Sequence, residues 1–557
     1  MSHIYGFHSG RCERASARVI LQLAGGWVRR LAPCLTLFLV FLGGCASLPP
    51  GSSYPKISSH SLSEPQTTRF GRQFATAAAQ NAGRSGFRIF NVGIDGFLLR
   101  LEMINAAERT LDLQYYIFRG DESGRLLTDA LLRAADRGVR VRVLVDEGES
   151  VPGDEQLFRL AGHTALEVRV FNPWRYRGHN KVIRGAEYIL RHSRLDYRMH
   201  NKLFIADGSF GLLGGRNIGD QYFQIDPESQ FADDDVFAAG PITQDLSSEF
   251  DEFWNSALAI PAEALEHRNT RDVAGYSSSH YRPAQAPKLK SAGLNYAEKL
   301  ATGEPLAGLM SGQLPLVWAD AQFVSDPPDK KKLTAAGTRV GGLMYKPVAE
   351  MARQVKSELI VVSPYFVPTK DELVLLKSHR QQGIRVRVLT NSLASNPETA
   401  AHAGYMHYRV GLVQDGVQLY EVRSLLGNNR GSGQSARVSG YGNYALHAKF
   451  YVMDTKELFI GSMNFDARSR RLNTEDGLII HNAELAQQQA SRFEAMTRPE
   501  NAYSVELRPG RKEGSSRLVW HSVEIGQPVD YDREPARNTW QRVKARMLSF
   551  LPLDPEL

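Results

Sequence analysis

The chain carries one set of polar residues twice. The first copy runs from His200 and Lys202 through Asp207 to Gly214-Gly215 and Asn217, and the second from His447 and Lys449 through Asp454 to Gly461-Ser462 and Asn464. Both read His-x-Lys, four residues, Asp, six residues, Gly-Gly/Ser-x-Asn, without a slip in spacing. On a strand, alternate residues share a face, so each histidine and its lysine point the same way. The apolar runs Leu203 to Ala206 and Phe450 to Met453 read as those strands continuing into a core. The glycine pairs let backbone approach a ligand closely, and Asn217 and Asn464 add amide donors beside it. Each copy offers an imidazole, an ammonium and an amide. Together they suit a phosphodiester, with cations on the non-bridging oxygens and imidazole doing covalent or proton-transfer work.

The duplicated His-x-Lys-x4-Asp pattern resembles the phospholipase D superfamily, over a stretch from about Gly86 to about Arg498. That resemblance implies two α/β lobes sharing one site and a two-step displacement. One histidine attacks phosphorus, while the other protonates the leaving alcohol and later deprotonates the incoming one. It assigns His200 as nucleophile and His447 as acid/base, although the symmetry of the sequence does not itself choose between them. Lys202, Lys449, Asn217 and Asn464 would hold phosphate oxygens. Glu475, 28 residues beyond His447, resembles the carboxylate that orients a catalytic histidine. Aligning Val236 with Leu478 makes Asp233 its counterpart, whereas Glu228 matches the 28-residue offset from His200. Asp207 and Asp454 belong to the motif and stand with its catalytic set. Their place at a strand end, five residues beyond each lysine, turns them away from phosphate toward backbone or a basic side chain. No metal-ligand cluster or Walker-type loop stands out, so the expected mechanism uses neither metal nor cofactor.

Positioning these residues requires a repeated frame. Leu111 to Phe118 reads as a strand, Gly124 to Gly138 as a helix and Val139 to Asp146 as a second strand, an order that implies a parallel α/β sheet. Glu358 to Phe366, a helix ending at Arg380 to Gly383, and Ile384 to Asn391 repeat it. From Gly138 to His200 is 62 residues and from Gly383 to His447 is 64, so the duplication spans a whole domain. The expected class is α/β, with two tandem lobes about a pseudo-two-fold axis. They occupy 86–269 and 339–499, joined by a linker at 270–338 and followed by a tail at 500–557. A glycine-rich loop, Gly427 to Gly442, precedes the second motif.

The amino terminus places this frame in a compartment. Five arginines against Glu13 precede the apolar run Leu31 to Leu42 and the sequence Leu42-Gly43-Gly44-Cys45. This resembles a lipoprotein signal over 1–44, with Cys45 as the acylated residue and 45–85 as a tether. The expected location is the bacterial cell envelope, lipid-anchored and facing the periplasm, in the outer or inner membrane. Removing that signal takes +4 of the formal +7 charge, and the remaining +3 gives no argument for nucleic acid.

Several stretches resemble bacterial cardiolipin synthases: Phe171 to Lys202, Ser392 to Asn396 and His402 to Tyr405. Eight basic residues from Arg175 to Lys202, against Glu187 and Asp196, suit an anionic phospholipid head group. In the tail, Trp540, Val543, Met547 and Phe550 share a helical face that would lie on a membrane surface or cover a neighbouring domain. The reading is therefore a membrane-attached phosphatidyltransferase making cardiolipin from phosphatidylglycerol. The alternatives are a hydrolytic phospholipase D, a periplasmic nuclease and a silent lipid-binding scaffold. Oligomeric state is not legible.

Overall fold

The computed structural model describes residues 48–148, 160–176, 178, 180–226, 229–265, 304–330, 344–425, 444–510 and 514–551. The signal with Cys45, Glu228, the loop Gly427 to Gly442 and most of the expected linker lie outside the described residues. The chain divides into a large unit, Pro49–Trp174 with Tyr197–Leu557, and a small one holding Arg175–Asp196.

In the large unit the expected strand–helix–strand order is present in both halves. The first half contributes β1 (Ser85–Phe90), β2 (Thr110–Tyr115), β3 (Arg140–Asp146), β4 (Leu166–Phe171), β5 (Leu203–Ala206), β6 (Phe210–Gly214), β7 (Gln230–Ala232), β8 (Asp235–Ala239) and β9 (Ala259–Pro261). After β10 (Val317–Ser325), the second half has β11 (Glu358–Val362), β12 (Arg385–Asn391), β13 (Gln418–Val422), β14 (Tyr444–Leu446), β15 (Phe450–Met453), β16 (Glu457–Gly461) and β17 (Asp476–His481). Three tail strands follow: β18 (Ala502–Pro509), β19 (Ser516–Glu524) and β20 (Gln527–Tyr531).

β2, β3 and β4 run parallel, as do β11, β12 and β13. Local chemistry fixes the helices between them. Asp121 accepts the Gly124 N–H to start Glu122–Asp136, and Thr369 and Glu372 form a capping box on Lys370–Gln381. Both helices stop at a glycine in left-handed backbone, Gly138 (φ +88°) and Gly383 (φ +80°), where a side chain would be strained. Leu127, Ala130, Leu131 and Ala134 then face the first core.

The motif hairpins β5–β6 and β15–β16 pair antiparallel with β2 and β11, placing each motif beside its parallel strands. β10 changes the domain plan expected from sequence. It pairs with β1 of the first half and with β17 of the second, so it occupies in the second half the place of β1 beside β8. The segment read as a linker thus contains a second-lobe strand, and among the described residues both halves form one 18-stranded sheet.

Two other boundaries move. Residues of the expected tether pack on the first lobe: Phe70 is buried and stacks on Phe210 at 4.4 Å, and Arg142 donates to the Ser59 carbonyl at 2.8 Å. The tail extends the second sheet through β18 on β13. It then turns at Glu534, which accepts from Arg409 (2.5 Å) and lies 2.7 Å from Nε2 of His402. The final helix, Thr539–Leu548, packs against Thr399–Met406 and buries Ala545. Trp540, Val543, Met547 and Phe550 stay exposed, so this stripe covers no described neighbour.

The motif aspartates depart from the catalytic set. Asp207 and Asp454 sit in hairpin turns at φ +52°, a conformation Asp tolerates better than most side chains. Asp207 accepts the N–H groups of Glu108, Arg109 and Thr110 at 2.7–2.9 Å, capping the entry to β2. Asp454 accepts those of Lys356, Ser357 and Glu358 at the entry to β11. Neither lines the cavity that holds the histidines. Three donors lose a charged acceptor in Asp207→Ala, so the unfolding free energy should fall by roughly 3 kcal/mol. Denaturant titration measures this, and an unchanged midpoint would return Asp207 to the catalytic set.

Candidate active site

The two motifs meet because each is held by the other lobe. Met199 bridges Thr474 in parallel, and Leu446 of β14 pairs in parallel with Ala232 of β7. The His200 N–H donates to the Thr474 carbonyl at 2.9 Å, and the His447 N–H to the Ala232 carbonyl at 2.7 Å. Beyond each bridge comes a histidine on one side and a carboxylate on the other. Nδ1 of His200 lies 2.7 Å from Oε2 of Glu475, and Nδ1 of His447 lies 2.6 Å from Oδ2 of Asp233. The pairs are crossed between lobes, which spacing within either half does not reveal. A carboxylate at Nδ1 fixes the tautomer with that nitrogen protonated and leaves Nε2 as the basic, nucleophilic atom.

Both rings border one cavity of about 650 Å³, whose lining also includes Tyr116, Arg119, Tyr222, Phe231, Asn464, Arg468 and Arg537. The Tyr116 ring meets His200 edge-on at 5.1 Å. His447 lies between Phe231, stacked at 5.3 Å, and Tyr222, edge-on at 5.1 Å. Lys202 and Lys449 each donate to the carbonyl of their own motif histidine, and Lys449 Nζ lies over the edge of the His447 ring, 2.9 Å from Nδ1 and 3.2 Å from Nε2.

The expected symmetry fails at the glycines and the asparagines. Gly214, Gly215 and Gly461 admit protein, not ligand. A Cβ on Gly214 would meet the Asp234 carbonyl at 2.2 Å, one on Gly215 the Asp233 carboxylate at 2.0 Å, and one on Gly461 the Asp476 carbonyl at 2.3 Å. Ser462, the counterpart of Gly215, instead donates its hydroxyl to Glu475 at 2.6 Å. Asn217 accepts from the Ile117 N–H at 3.1 Å and donates to the Tyr222 hydroxyl at 2.9 Å, so at most one of its N–H groups can reach a phosphate. Asn464 lines the cavity, and its buried Oδ1 meets no protein donor among the described residues.

Burial sets the electrostatics. It drives the His200 pKa well below the ordinary 6.5, reinforced by Lys202, Lys449 and Arg468. Burial and Lys449 push His447 down to about 3 against the pull of Asp233. Burial lowers Lys202 to about 8 and Lys449 to about 7, each partly offset by nearby carboxylates. The carboxylates diverge. Burial raises Glu475 despite Lys202 and Ser462, whereas at Asp233 the attraction of His447, Lys449 and Arg216 outweighs burial and holds the group well below its usual range. Such a site presents neutral imidazoles, and an arriving phosphate supplies the counter-charge the buried lysines lack.

Sequence reading missed Tyr116, Tyr222 and Phe231, for which no motif signal exists, and the buried base beneath Asp233. There Asp235 binds Arg100 at 2.8 Å through both oxygens and Arg216 at 2.9 Å. Within the triplet Asp233-Asp234-Asp235, aligning Val236 with Leu478 singled out Asp233, the carboxylate that lies beside His447, but not the Arg100 and Arg216 pairing of Asp235.

Comparison with known proteins follows the same two segments. The family described as cardiolipin synthase, PLD-like domain, matches residues 101–254 and 348–497. Over 484 residues the chain is 35% identical to cardiolipin synthase C of Escherichia coli K12, covering 86% of this chain and 97% of that one. It is 27% identical over 403 residues to the major cardiolipin synthase ClsA of Bacillus subtilis 168, covering 72% and 66%. The crystal structure of phosphatidylserine synthase from Haemophilus influenzae superimposes with a TM-score of 0.48 at 14% identity, covering 78% of this chain and 92% of that one.

Two outcomes test the shared site. His200→Ala and His447→Ala should each lower turnover by several orders of magnitude and the double variant little further, because residues acting on one phosphate are not additive. Half-activity in either single variant would mean two independent sites. The second outcome concerns pH. The unfolded chain protonates His447 near 6.5 and the folded chain only near 3, so the folded state binds fewer protons in that window. Stability should therefore fall as pH drops from about 6.5 toward 3, and His447→Asn should flatten that slope in a pH series of melting temperatures.

Proposed function

The chain belongs to the cardiolipin synthase, PLD-like domain family, and from that premise we propose that it is a membrane-attached phosphatidyltransferase making cardiolipin from phosphatidylglycerol. The observation that carries the reading is the pair of carboxylate-held imidazoles bordering one cavity. Once the negative charge of the bound phosphate has drawn a proton from solvent onto Nε2 of His447, Nε2 of His200 attacks phosphorus, a P–N bond forms, and the P–O bond to glycerol breaks as His447 gives that oxygen the Nε2 proton and returns to the neutral form. A hydroxyl of the acceptor phosphatidylglycerol then returns a proton to His447 and attacks phosphorus, and the P–N bond breaks. Lys202, Lys449 and Asn464 hold the non-bridging oxygens as charge builds on them; Asn217 assists with its remaining N–H.

Unequal carboxylates support this division of labour. Asp233, held ionised, favours a positively charged His447 partway through each step. Glu475, raised by burial, does less to stabilise charge on His200, which suits a neutral nucleophile.

Attachment is read from the two ends of the chain. Cys45 would carry the acyl groups in the cell envelope, on the periplasmic face of the outer or inner membrane. The exposed stripe Trp540, Val543, Met547 and Phe550, flanked by Arg542, Lys544 and Arg546, would rest on the bilayer. Its segment starts beside the site, because Arg537 lines the cavity and donates to the Ala394 carbonyl at 2.6 Å. No described helix is long and apolar enough to cross a membrane.

Purified enzyme incubated with phosphatidylglycerol, with and without phosphatidylethanolamine, should yield cardiolipin in a lipid-product analysis. Phosphatidic acid as the dominant product would make it a hydrolytic phospholipase D. For the anchor, Cys45→Ala should leave an unprocessed precursor and abolish fatty-acid labelling, and surviving label would remove the lipoprotein assignment.

A further inference from the structure

The small unit contains a helix whose faces are reversed for water. Lys181–Leu195 begins at Asn180, whose side chain accepts the Val182 and Ile183 N–H groups at 2.9 and 3.3 Å. Val182 (80% exposed), Ile183 (45%), Ile189 (69%) and Leu190 (62%) face outward with Ala186. At about 100° per residue these five positions span roughly 120° of the wheel, one continuous apolar face. They end before the kink at Arg191. The acidic side chain turns inward. Glu187 is buried, accepts the Arg175 and Tyr176 N–H groups at 2.8 Å each, and lies 3.8 Å from Arg194.

An outward stripe of β-branched and aliphatic side chains calls for an occupant, and charge selects it. The other faces of the helix carry Lys181, Arg184, Arg191 and His192, while its one acid, Glu187, lies beside the largely buried Arg194. A basic amphipathic helix of this kind fits an anionic lipid surface, with aliphatic groups at the acyl boundary and cations at the phosphates. Its length and its cations suit lying in the interface, not crossing it. We infer that Lys181–Leu195 is an interfacial helix that docks on anionic phospholipid bilayers. This rests on the reading that the substrate is a bilayer phospholipid. It adds a second contact, in the segment leading directly into the first motif: four residues separate Leu195 from His200.

Hydrogen–deuterium exchange on the full chain tests the docking without reference to catalysis. Peptides covering 181–195 should exchange at least tenfold more slowly with vesicles of phosphatidylglycerol and phosphatidylcholine than with phosphatidylcholine alone. Unchanged exchange overturns the inference. So does protection already complete without vesicles, which would mean the chain covers its own helix, or protection that rises with protein concentration alone, which would mean a second copy does. A Val182→Asp/Ile189→Asp variant supplies the functional arm. Its turnover of phosphatidylglycerol in vesicles should fall at least tenfold, and its turnover of a short-chain phosphatidylglycerol dispersed as monomers should not change. Equal losses on both substrates would mark a folding defect and overturn the role. Vesicle-dependent protection in an enzyme that converts neither substrate would sink the proposed reaction and leave the docking intact.

Discussion

Everything at the site depends on two parallel backbone pairings between lobes. Met199 lies opposite Thr474 and Leu446 opposite Ala232, and the next residue on each side completes a histidine–carboxylate pair. Register does the positioning: a slip of one residue would turn each side chain to the other face. Both carboxylates are fully buried, so removing the histidine leaves each without that hydrogen bond in a low-dielectric interior, at a cost of about 1–3 kcal/mol. Neighbouring bonds hold the same seam, with the Lys202 N–H on Asp476 at 3.0 Å and the Thr474 hydroxyl on Asn201 at 2.6 Å. Separating the lobes would therefore dismantle both halves of the site.

Duplication made the frame and divergence made the chemistry. At equivalent positions Gly215 leaves room for Asp233, while Ser462 bonds Glu475. One histidine is packed between two aromatic rings and the other meets one. Two identical imidazoles would compete for the same role. The two carboxylates shift in opposite directions from their usual range, Glu475 upward with burial and Asp233 downward beside His447, Lys449 and Arg216.

Much of this was legible in the sequence, because it depends on local pattern. Motif spacing, alternation into the strands, capping residues and the glycine stops at Gly138 and Gly383 located both halves and their parallel strands. What was illegible depends on pairing between distant segments. Val317–Ser325 fell within the expected linker because the partners that make it a strand lie about 230 and 160 residues away in β1 and β17. The crossing of the carboxylates has the same origin. Ser, Gln and Ala composition between 46 and 85 suggested a tether, but Phe70 and Phe74 both pack against Phe210. Gly214-Gly215 signalled close approach correctly and its partner wrongly, since a glycine records only that something is near. Asp207 and Asp454 travel with the motif because they hold backbone N–H groups at the entries to β2 and β11, the direction their place at a strand end already indicates.

The central claim, one phosphate served by both lobes with a single nucleophile, is tested most directly by locating the covalent intermediate. A phosphatidyl analogue with a nitrophenol leaving group needs little protonation to depart, so His447→Asn should still take up the phosphatidyl group and then stall. Mass spectrometry of the trapped protein should find one phosphatidyl group per chain, on His200. An adduct on His447 in the wild-type enzyme, or on both histidines of one chain, would contradict the account.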